Sequence, residues 1–281
     1  MGMSAKLYTW RNWSRNPQDP DVKKLLTIVL IVGIGTVLFF RSYWSRITND
    51  LPIPTPISGA KPQSIITPSA SLKTIEYDTV VYAYDFINTS IQHLSLIPNF
   101  DKLVDSSTLM ESSGCRMGTN AGFYTTEKTP LGLVIINGET INRSVKSSLF
   151  NGYISIRDAK PEISYSVPDN SVTLAVQTGP MLIFNHSILP LAIRNDEQAR
   201  RISAATLDDD SVVFIVVYDP DASYNGPLLS QLSNIIDAIA QKERLNIVNA
   251  INLDGGSHSF FKSDTTTLSE LSPIGALFCI K

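Results

Sequence analysis

With 281 residues, 43% hydrophobic and 17% charged, and a net charge of −3, the chain can bury a sizeable core and is too weakly charged to be disordered throughout. Two cysteines exclude a disulfide-stapled scaffold, three scattered histidines argue against a multi-histidine metal centre, and 15 Gly with 16 Pro exclude a collagen-like repeat. Residues 1–50 hold seven basic and three acidic side chains, leaving 16 basic and 23 acidic in 51–281. A body with that acidic excess is a poor match for nucleic-acid phosphates, so no nucleic-acid partner is expected.

The first element is an apolar run, Leu25–Phe40, sixteen residues without charge or proline. As a helix it rises about 24 Å, short of the roughly 30 Å hydrocarbon core, but Lys23, Lys24 and Arg41 can snorkel and Tyr43 and Trp44 suit the interface. The rival is a cleaved signal peptide. Arg41-Ser-Tyr-Trp-Ser-Arg46 follows in place of a small-x-small cleavage site, which favours an uncleaved signal anchor over residues 25–41. Five basic residues precede the run and two follow it, so residues 1–24 are expected in the cytoplasm and the body outside it, at a cell surface or in a periplasm. Residues 42–73 then read as a Pro/Ser-rich stalk, since Pro52, Pro54 and Pro56 oppose regular pairing.

Residues 74–281 read as a single α+β domain, strand-rich with a few packing helices. Val80, Tyr82, Tyr84 and Phe86 alternate with Val81, Ala83 and Asp85, the period of a half-buried strand. Further strands are expected at Leu131–Ile136, Tyr153–Ile156, Val172–Val176, Val212–Tyr218, Ile247–Leu253 and Ile274–Ile280, with turns at Asn137-Gly138 and Asn151-Gly152. A helix should start with Pro227 as its first residue, because Leu228, Leu229, Leu232, Ile235, Ile236 and Ile239 share one face. A shorter helix is expected over Thr108–Arg116.

Three stretches offer chemistry. The strand from Ile247 delivers Asn252 and Asp254 into Gly255-Gly256, a turn whose N–H groups, with Ser257 and Ser259, suit an anion. Asp254 is a candidate acid, base, nucleophile or metal ligand, and a plain hairpin turn is the bland alternative. Thr119-Asn-Ala-Gly-Phe-Tyr124 and Ala175-Val-Gln-Thr-Gly-Pro-Met-Leu182 place Asn120, Gly122, Gln177, Thr178 and Gly179 at breaks in the pattern. Arg200-Arg201 ends a polar run from Arg194 that also fits a solvated helix face. Asp254 and Asn252 offer hard oxygens for Ca²⁺ or Mg²⁺, although no metal loop is recognisable. Cys115 and Cys279 fit either one disulfide or two buried thiols.

Taken in order, Asn120-Ala-Gly-Phe-Tyr124, Pro130-Leu-Gly-Leu-Val-Ile-Ile-Asn-Gly138, Gln177-Thr-Gly-Pro-Met-Leu-Ile183, Arg201 before a strand, and Asn252-Leu-Asp-Gly-Gly256 resemble the phosphodiester glycosidase family over nearly the whole body. The resemblance implies hydrolysis of a sugar-1-phosphodiester to free sugar and a phosphomonoester, with a phosphorylated glycan as substrate. It implies Asp254, Arg201 and Asn252 as catalytic residues and Asn120, Gly122, Thr178, Gly179, Gly255, Gly256 and Ser257 as substrate-binding ones. Arg201 would grip phosphate bidentately, and Glu127 or Asp105 would supply a second carboxylate. Ala121 stands where the family has glycine, and His258 follows Ser257, which leaves open whether Ser257 or Ser259 is the family serine. The alternatives are a non-catalytic surface module that binds anionic glycans, or a phosphoesterase releasing sugar phosphate.

Overall fold

The computed structural model describes residues 72–281, apart from 126, 128 and 170. The apolar run, the basic tail and nearly all of the stalk lie outside the described residues. These residues belong to one compact unit, Thr67–Lys281, and none of their helices is long and apolar enough to cross a membrane.

The chain opens with strands β1 (Lys73–Tyr77), β2 (Val80–Thr89) and β3 (Leu94–Pro98), then helix α1 (Ser106–Ser113) and β4 (Met117–Asn120). Strands β5 (Val134–Ile136), β6 (Glu139–Asn142), β7 (Gly152–Arg157), β8 (Lys160–Ser164) and β9 (Leu174–Thr178) follow. Next come β10 (Met181–Phe184), β11 (Ser187–Ile188), β12 (Arg201–Leu207) and β13 (Val212–Tyr218). Helix α2 (Leu229–Glu243) leads into β14 (Ile247–Asn252), and the chain ends with β15 (Phe261–Lys262), β16 (Thr267–Leu268) and β17 (Ala276–Ile280). All named pairings are antiparallel. They build a seven-stranded sheet ordered β1-β2-β13-β12-β14-β10-β11 and two five-stranded sheets, β16-β15-β4-β17-β3 and β6-β5-β9-β7-β8.

One core fills the space that the three sheets share, with Ile87, Ile202, Phe214, Ile251, Ile154, Val176 and Phe278 among its members. The far face of the large sheet is covered by α2, whose Leu232, Ile235, Ile236 and Ile239 are fully buried against Ala205, Ile215, Val217 and Ala250. Each such Leu or Ile contributes about 1.5–3 kcal/mol. Because both faces of the large sheet are covered, β13 is buried along its whole length and reads Val-Val-Phe-Ile-Val-Val-Tyr without polar alternation. The same reason corrects β2. Tyr82, Ala83, Tyr84 and Asp85 are all buried, so the middle of the strand is covered on both faces instead of half-buried, while Val80 and Val81 stay exposed at its start.

Several boundaries also move. β1 takes in Lys73, assigned above to the stalk, and the expected strand from Leu131 starts only at Val134, because the Leu131 and Leu133 amides bond to Phe123 O and Gln177 Oε1. α1 begins two residues earlier than expected, capped by Asp105, whose carboxylate accepts from the Thr108 amide at 2.9 Å. Pro227 lies outside α2, whose cap position is Leu228. Leucine has no acceptor, so the cap comes from elsewhere in the chain: Asp196 takes the Leu229 and Ser230 amides at 3.0 and 2.8 Å. Asn137-Gly138 makes the expected hairpin turn, with φ of +51° and +80°. Asn151-Gly152 does not: Gly152 opens β7, where a Cβ would meet Ile251 Cδ1 at 2.6 Å, and Asn151 Oδ1 accepts from the Met181 amide.

Cys115 and Cys279 form a disulfide, with Cα atoms 5.4 Å apart across 164 residues of sequence. It joins the end of α1 to β17 beside the buried cluster of Leu109, Met110, Phe260 and Leu277. A link closing so long a loop removes much denatured-state entropy, and replacing both cysteines by serine should lower unfolding stability by about 2–5 kcal/mol. Denaturant titration of the variant checks this, and adding reductant to wild type should reproduce the shift.

Candidate active site

The residues singled out in the sequence meet where β14 ends and β12 begins. Ser203 pairs with Asn252, and the ladder runs on through the bond from Leu253 N to Ile202 O, so Arg201, Ser203, Asn252 and Asp254 lie at one end of the large sheet. From there the chain turns through Gly255 into a 3-10 turn, Gly256–His258. Gly256 sits at φ +63°, where a side chain is disfavoured, and a Cβ on Gly255 would come within 2.8 Å of Arg200 O.

Two buried polar side chains fix this loop. Asn120, 2% exposed at the end of β4, donates from Nδ2 to Asp254 O at 2.8 Å and accepts the Phe260 amide on Oδ1 at 2.9 Å. Both ends of its amide are committed to the loop, which makes it a positioning residue. Arg200 is the second. It is fully buried, donating to Ser259 Oγ and Ser259 O, to Ser269 O and to Ser223 O, with its guanidinium over the Tyr224 ring. Its own carbonyl accepts the Gly256 amide. Burial lowers its pKa to about 10. The solvated-helix reading of Arg194–Arg200 is thereby overturned: the segment has no helix, and its last residue is among the largest fully buried side chains.

Arg201 turns the other way. Its Nε donates to Pro227 O at 3.1 Å, and its Nη2 donates to Glu197 O and lies 3.6 Å from Asp196. Nη1 is on the Gly255 side, 3.7 Å from where a Cβ there would stand, and Asp254 is among the charges acting on the guanidinium. Burial lowers the pKa of Arg201, opposed by Asp196, Asp254 and Glu197. The Nε/Nη2 edge is therefore engaged with protein acceptors, and Nη1 is the donor nearest the turn.

Asn252 is 3% exposed. Its Nδ2 donates to Gly179 O, and its carbonyl accepts from Thr178 Oγ1 and the Gly179 amide. Thr178 and Gly179 thus lie against Asn252, and the wholly buried Thr178 hydroxyl is committed to it. Gly179 admits no side chain, because a Cβ would overlap Leu149 O. Gly122, at φ +65°, would place a Cβ 2.7 Å from Val176 Cγ1. The buried Asn252 Oδ1 has no hydrogen-bond partner, nor has Ser203 Oγ on the residue directly opposite, nor the Tyr124 hydroxyl. Buried polar atoms are normally paired, and two of these orphans, Asn252 Oδ1 and Ser203 Oγ, belong to residues directly opposite each other at the end of the large sheet. Ser203 and Tyr124 were not singled out from the sequence as site residues, since serine in a strand and tyrosine in a loop are ordinary there.

The remaining candidates separate. Ser257 is exposed, its hydroxyl 3.2 Å from His258 Nδ1, whereas Ser259 is buried and bonded to Arg200 and Gly256 O as part of the framework. Gln177 spends its amide on the backbone of Leu133, Val145 and Phe150. Ala121 is buried, so its methyl joins the core. Asp105 is engaged as the cap of α1: bonds from the Thr108 amide and hydroxyl hold its pKa below the ordinary range. Glu127 is exposed on the loop between Tyr124 and Pro130. Among the described residues no three His, Cys, Asp or Glu side chains form a metal-binding group.

The family model for phosphodiester glycosidases matches residues 113–269, more than half of the chain. No curated protein matches. Among solved structures, the catalytic domain of zebrafish N-acetylglucosamine-1-phosphodiester alpha-N-acetylglucosaminidase, auto-inhibited by its pro-peptide, is similar in fold with a TM-score of 0.56. It is 16% identical and aligned over 74% of this chain and 81% of its own. A hypothetical protein from Synechocystis is 12% identical with a TM-score of 0.49, over 74% of this chain and 61% of its own.

Asp196 links α2 to Arg201. Burial raises its pKa, but the Ser230 and Leu229 amides and Arg201 outweigh that and hold it below 3.8. A carboxyl lowered on folding stabilises above its unfolded value and loses that contribution as pH falls through its folded value. Asp196→Asn should therefore lower the melting temperature at pH 7, with the gap to wild type closing as pH falls below about 3.8, as thermal melts across pH 2–7 will show.

Proposed function

The chain belongs to the phosphodiester glycosidase family, and from that premise we propose that it is a membrane-anchored, extracytoplasmic hydrolase that splits a sugar-1-phosphodiester into free sugar and a phosphomonoester. In this reading residues 1–24 are cytoplasmic, 25–41 span the membrane and 42–73 hold the domain away from it. The basic residues before the apolar run support that orientation, and the Cys115–Cys279 bridge suits an oxidising compartment.

The observation that carries the catalytic reading is the convergence of Asp254, Arg201 and Asn252 at the end of β14, beside buried polar atoms that no protein group satisfies. The substrate's anomeric carbon is placed beside the Asp254 carboxylate, which takes a proton from the attacking water as the water oxygen bonds to C1. The C1–O bond breaks, and its electron pair leaves with the phosphomonoester. Phosphate is a stable anion and leaves without the full protonation an alkoxide needs, so one carboxylate with charge stabilisation suffices. Arg201 supplies that charge through Nη1. The Gly255-Gly256 turn lets backbone amides approach the phosphate, with Ser257 at its exposed rim. Asn120, Gly122, Thr178 and Gly179 hold the surrounding backbone in place.

Asp254→Asn removes the base while keeping shape and the backbone carbonyl that Asn120 binds. Turnover of N-acetylglucosamine-1-phosphate esters should fall at least 10²-fold, with the melting temperature within error of wild type and the affinity for the ester no weaker. Glycan binding by wild type with no turnover of any sugar phosphodiester would instead establish a non-catalytic binding module, and sugar phosphate as product would establish a phosphoesterase.

A further inference from the structure

Pro130-Leu-Gly-Leu133 and Gln177 have no part in the chemistry given to Asp254 and Arg201, and they form one device. Gln177 is 4% exposed near the end of β9. Its Oε1 accepts the Leu133 and Val145 amides at 3.1 and 3.0 Å, and its Nε2 donates to Val145 O and Phe150 O at 2.7 and 2.9 Å. Gly132 is required beside it, because a Cβ there would stand 2.7 Å from Gln177 Oε1. Asn142 Nδ2 donates to Pro130 O and Gly132 O, and the Ser147 hydroxyl accepts the Leu149 and Phe150 amides. Residues 143–151 are therefore a loop of fixed shape, carried from β6 to β7 across the end of β9. Its far end meets the site. A Cβ on Gly179 would overlap Leu149 O and come within 2.9 Å of Asn151 N, and Gly179 exchanges hydrogen bonds with Asn252. Arg143 and Lys146 are exposed on this loop, and among the described residues neither joins an ion pair. Residues 51–281 hold 16 basic and 23 acidic side chains, so two unpaired cations on one loop at the site are a local reversal of sign that attracts anions.

Resting on the function proposed above, we infer that this loop is a second anion subsite, whose Arg143 and Lys146 bind a further phosphate carried by the sugar that is released. The substrate is then a glycan with more than one phosphate. In the proposed function the scissile phosphate lies over Gly255-Gly256 and Arg201, on the β12 side of β14, whereas Gly179 and the loop lie on the β10 side. With C1 at Asp254, the sugar ring extends away from the scissile phosphate towards the loop, and a substituent on its hydroxyls is the part that meets the two cations. A guanidinium and an ammonium select phosphate over a neutral hydroxyl, because a hydrogen bond to a charged oxygen is the stronger one. Gln177 is the positioning residue of this subsite: it holds the loop backbone and leaves recognition to Arg143 and Lys146.

The probes are N-acetylglucosamine and its monophosphates substituted at each hydroxyl other than the anomeric one. By calorimetry, wild type should bind one of these phosphates at least about tenfold more tightly than the sugar, with the gap narrowing as salt is raised. Arg143→Gln with Lys146→Gln removes both charges at exposed positions. That double variant should lose the gap while keeping the Kd for the unsubstituted sugar and the melting temperature. Gln177→Met should lose the gap too but melt lower, because buried backbone groups lose their partner. In turnover of a sugar-1-phosphodiester that carries the second phosphate, the double variant should show KM raised about tenfold with kcat unchanged. Wild type that hydrolyses the singly phosphorylated ester but gains no affinity from any added phosphate overturns this inference and leaves the proposed function standing. A gap that survives in the double variant assigns the second phosphate to other residues and likewise overturns it. Wild type that neither binds nor hydrolyses any of these compounds overturns the proposed function, and the inference with it.

Discussion

Two buried side chains hold the loop after β14 in one shape, and the rest of the candidate site depends on that loop. Asn120 reaches across from β4 with a single amide that bonds to residues 254 and 260 together. Arg200 enters from β12 and fills its donors with carbonyls and a hydroxyl from residues 223, 259 and 269. Burying a guanidinium is costly; neutral acceptors and the Tyr224 face carry the compensation. Truncating either residue would leave buried partners unsatisfied, which is why the loop has little freedom to move. A rigid first bend is what a catalytic carboxylate at Asp254 requires, since small misplacements of a reacting group are expensive.

Adjacent arginines divide the work by strand geometry. At the start of β12 successive side chains point to opposite faces. Arg200 goes into the interior under the glycine turn, and Arg201 goes to the face covered by α2, where Asp196 ties it to the helix cap. The start of α2 and the Arg201 guanidinium are thereby linked through one carboxylate. The candidate site lies at one end of the large sheet, beside β13, which is buried along its whole length.

Elements with a strong period were legible in the sequence. The face of α2 and the apolar run of β13 are visible because their burial is continuous and dictated by one repeating contact surface. Strand β4 escaped, because Met-Gly-Thr-Asn carries small or polar residues and draws its stability from β17, far along the chain, and β12 was expected only through the strand that follows Arg201 in the family resemblance. Arg200 was misread for a physical reason: a run such as Arg-Asn-Asp-Glu-Gln-Ala-Arg looks solvated until distant carbonyls are brought to it. Asn252, Asp254 and the glycines were found through their motif. Tyr124 and Ser203 were not, because an unsatisfied hydroxyl is a property of three-dimensional surroundings and leaves no local pattern.

In the proposed reaction the site at the end of β14 breaks the bond between the anomeric carbon and the phosphate oxygen. Hydrolysis of a sugar-1-phosphodiester in ¹⁸O-labelled water, with both products weighed by mass spectrometry, tests it most directly. The account predicts the label in the free sugar and unlabelled phosphomonoester. Label in the phosphate would mean attack at phosphorus, and would contradict the role assigned to Asp254 at C1.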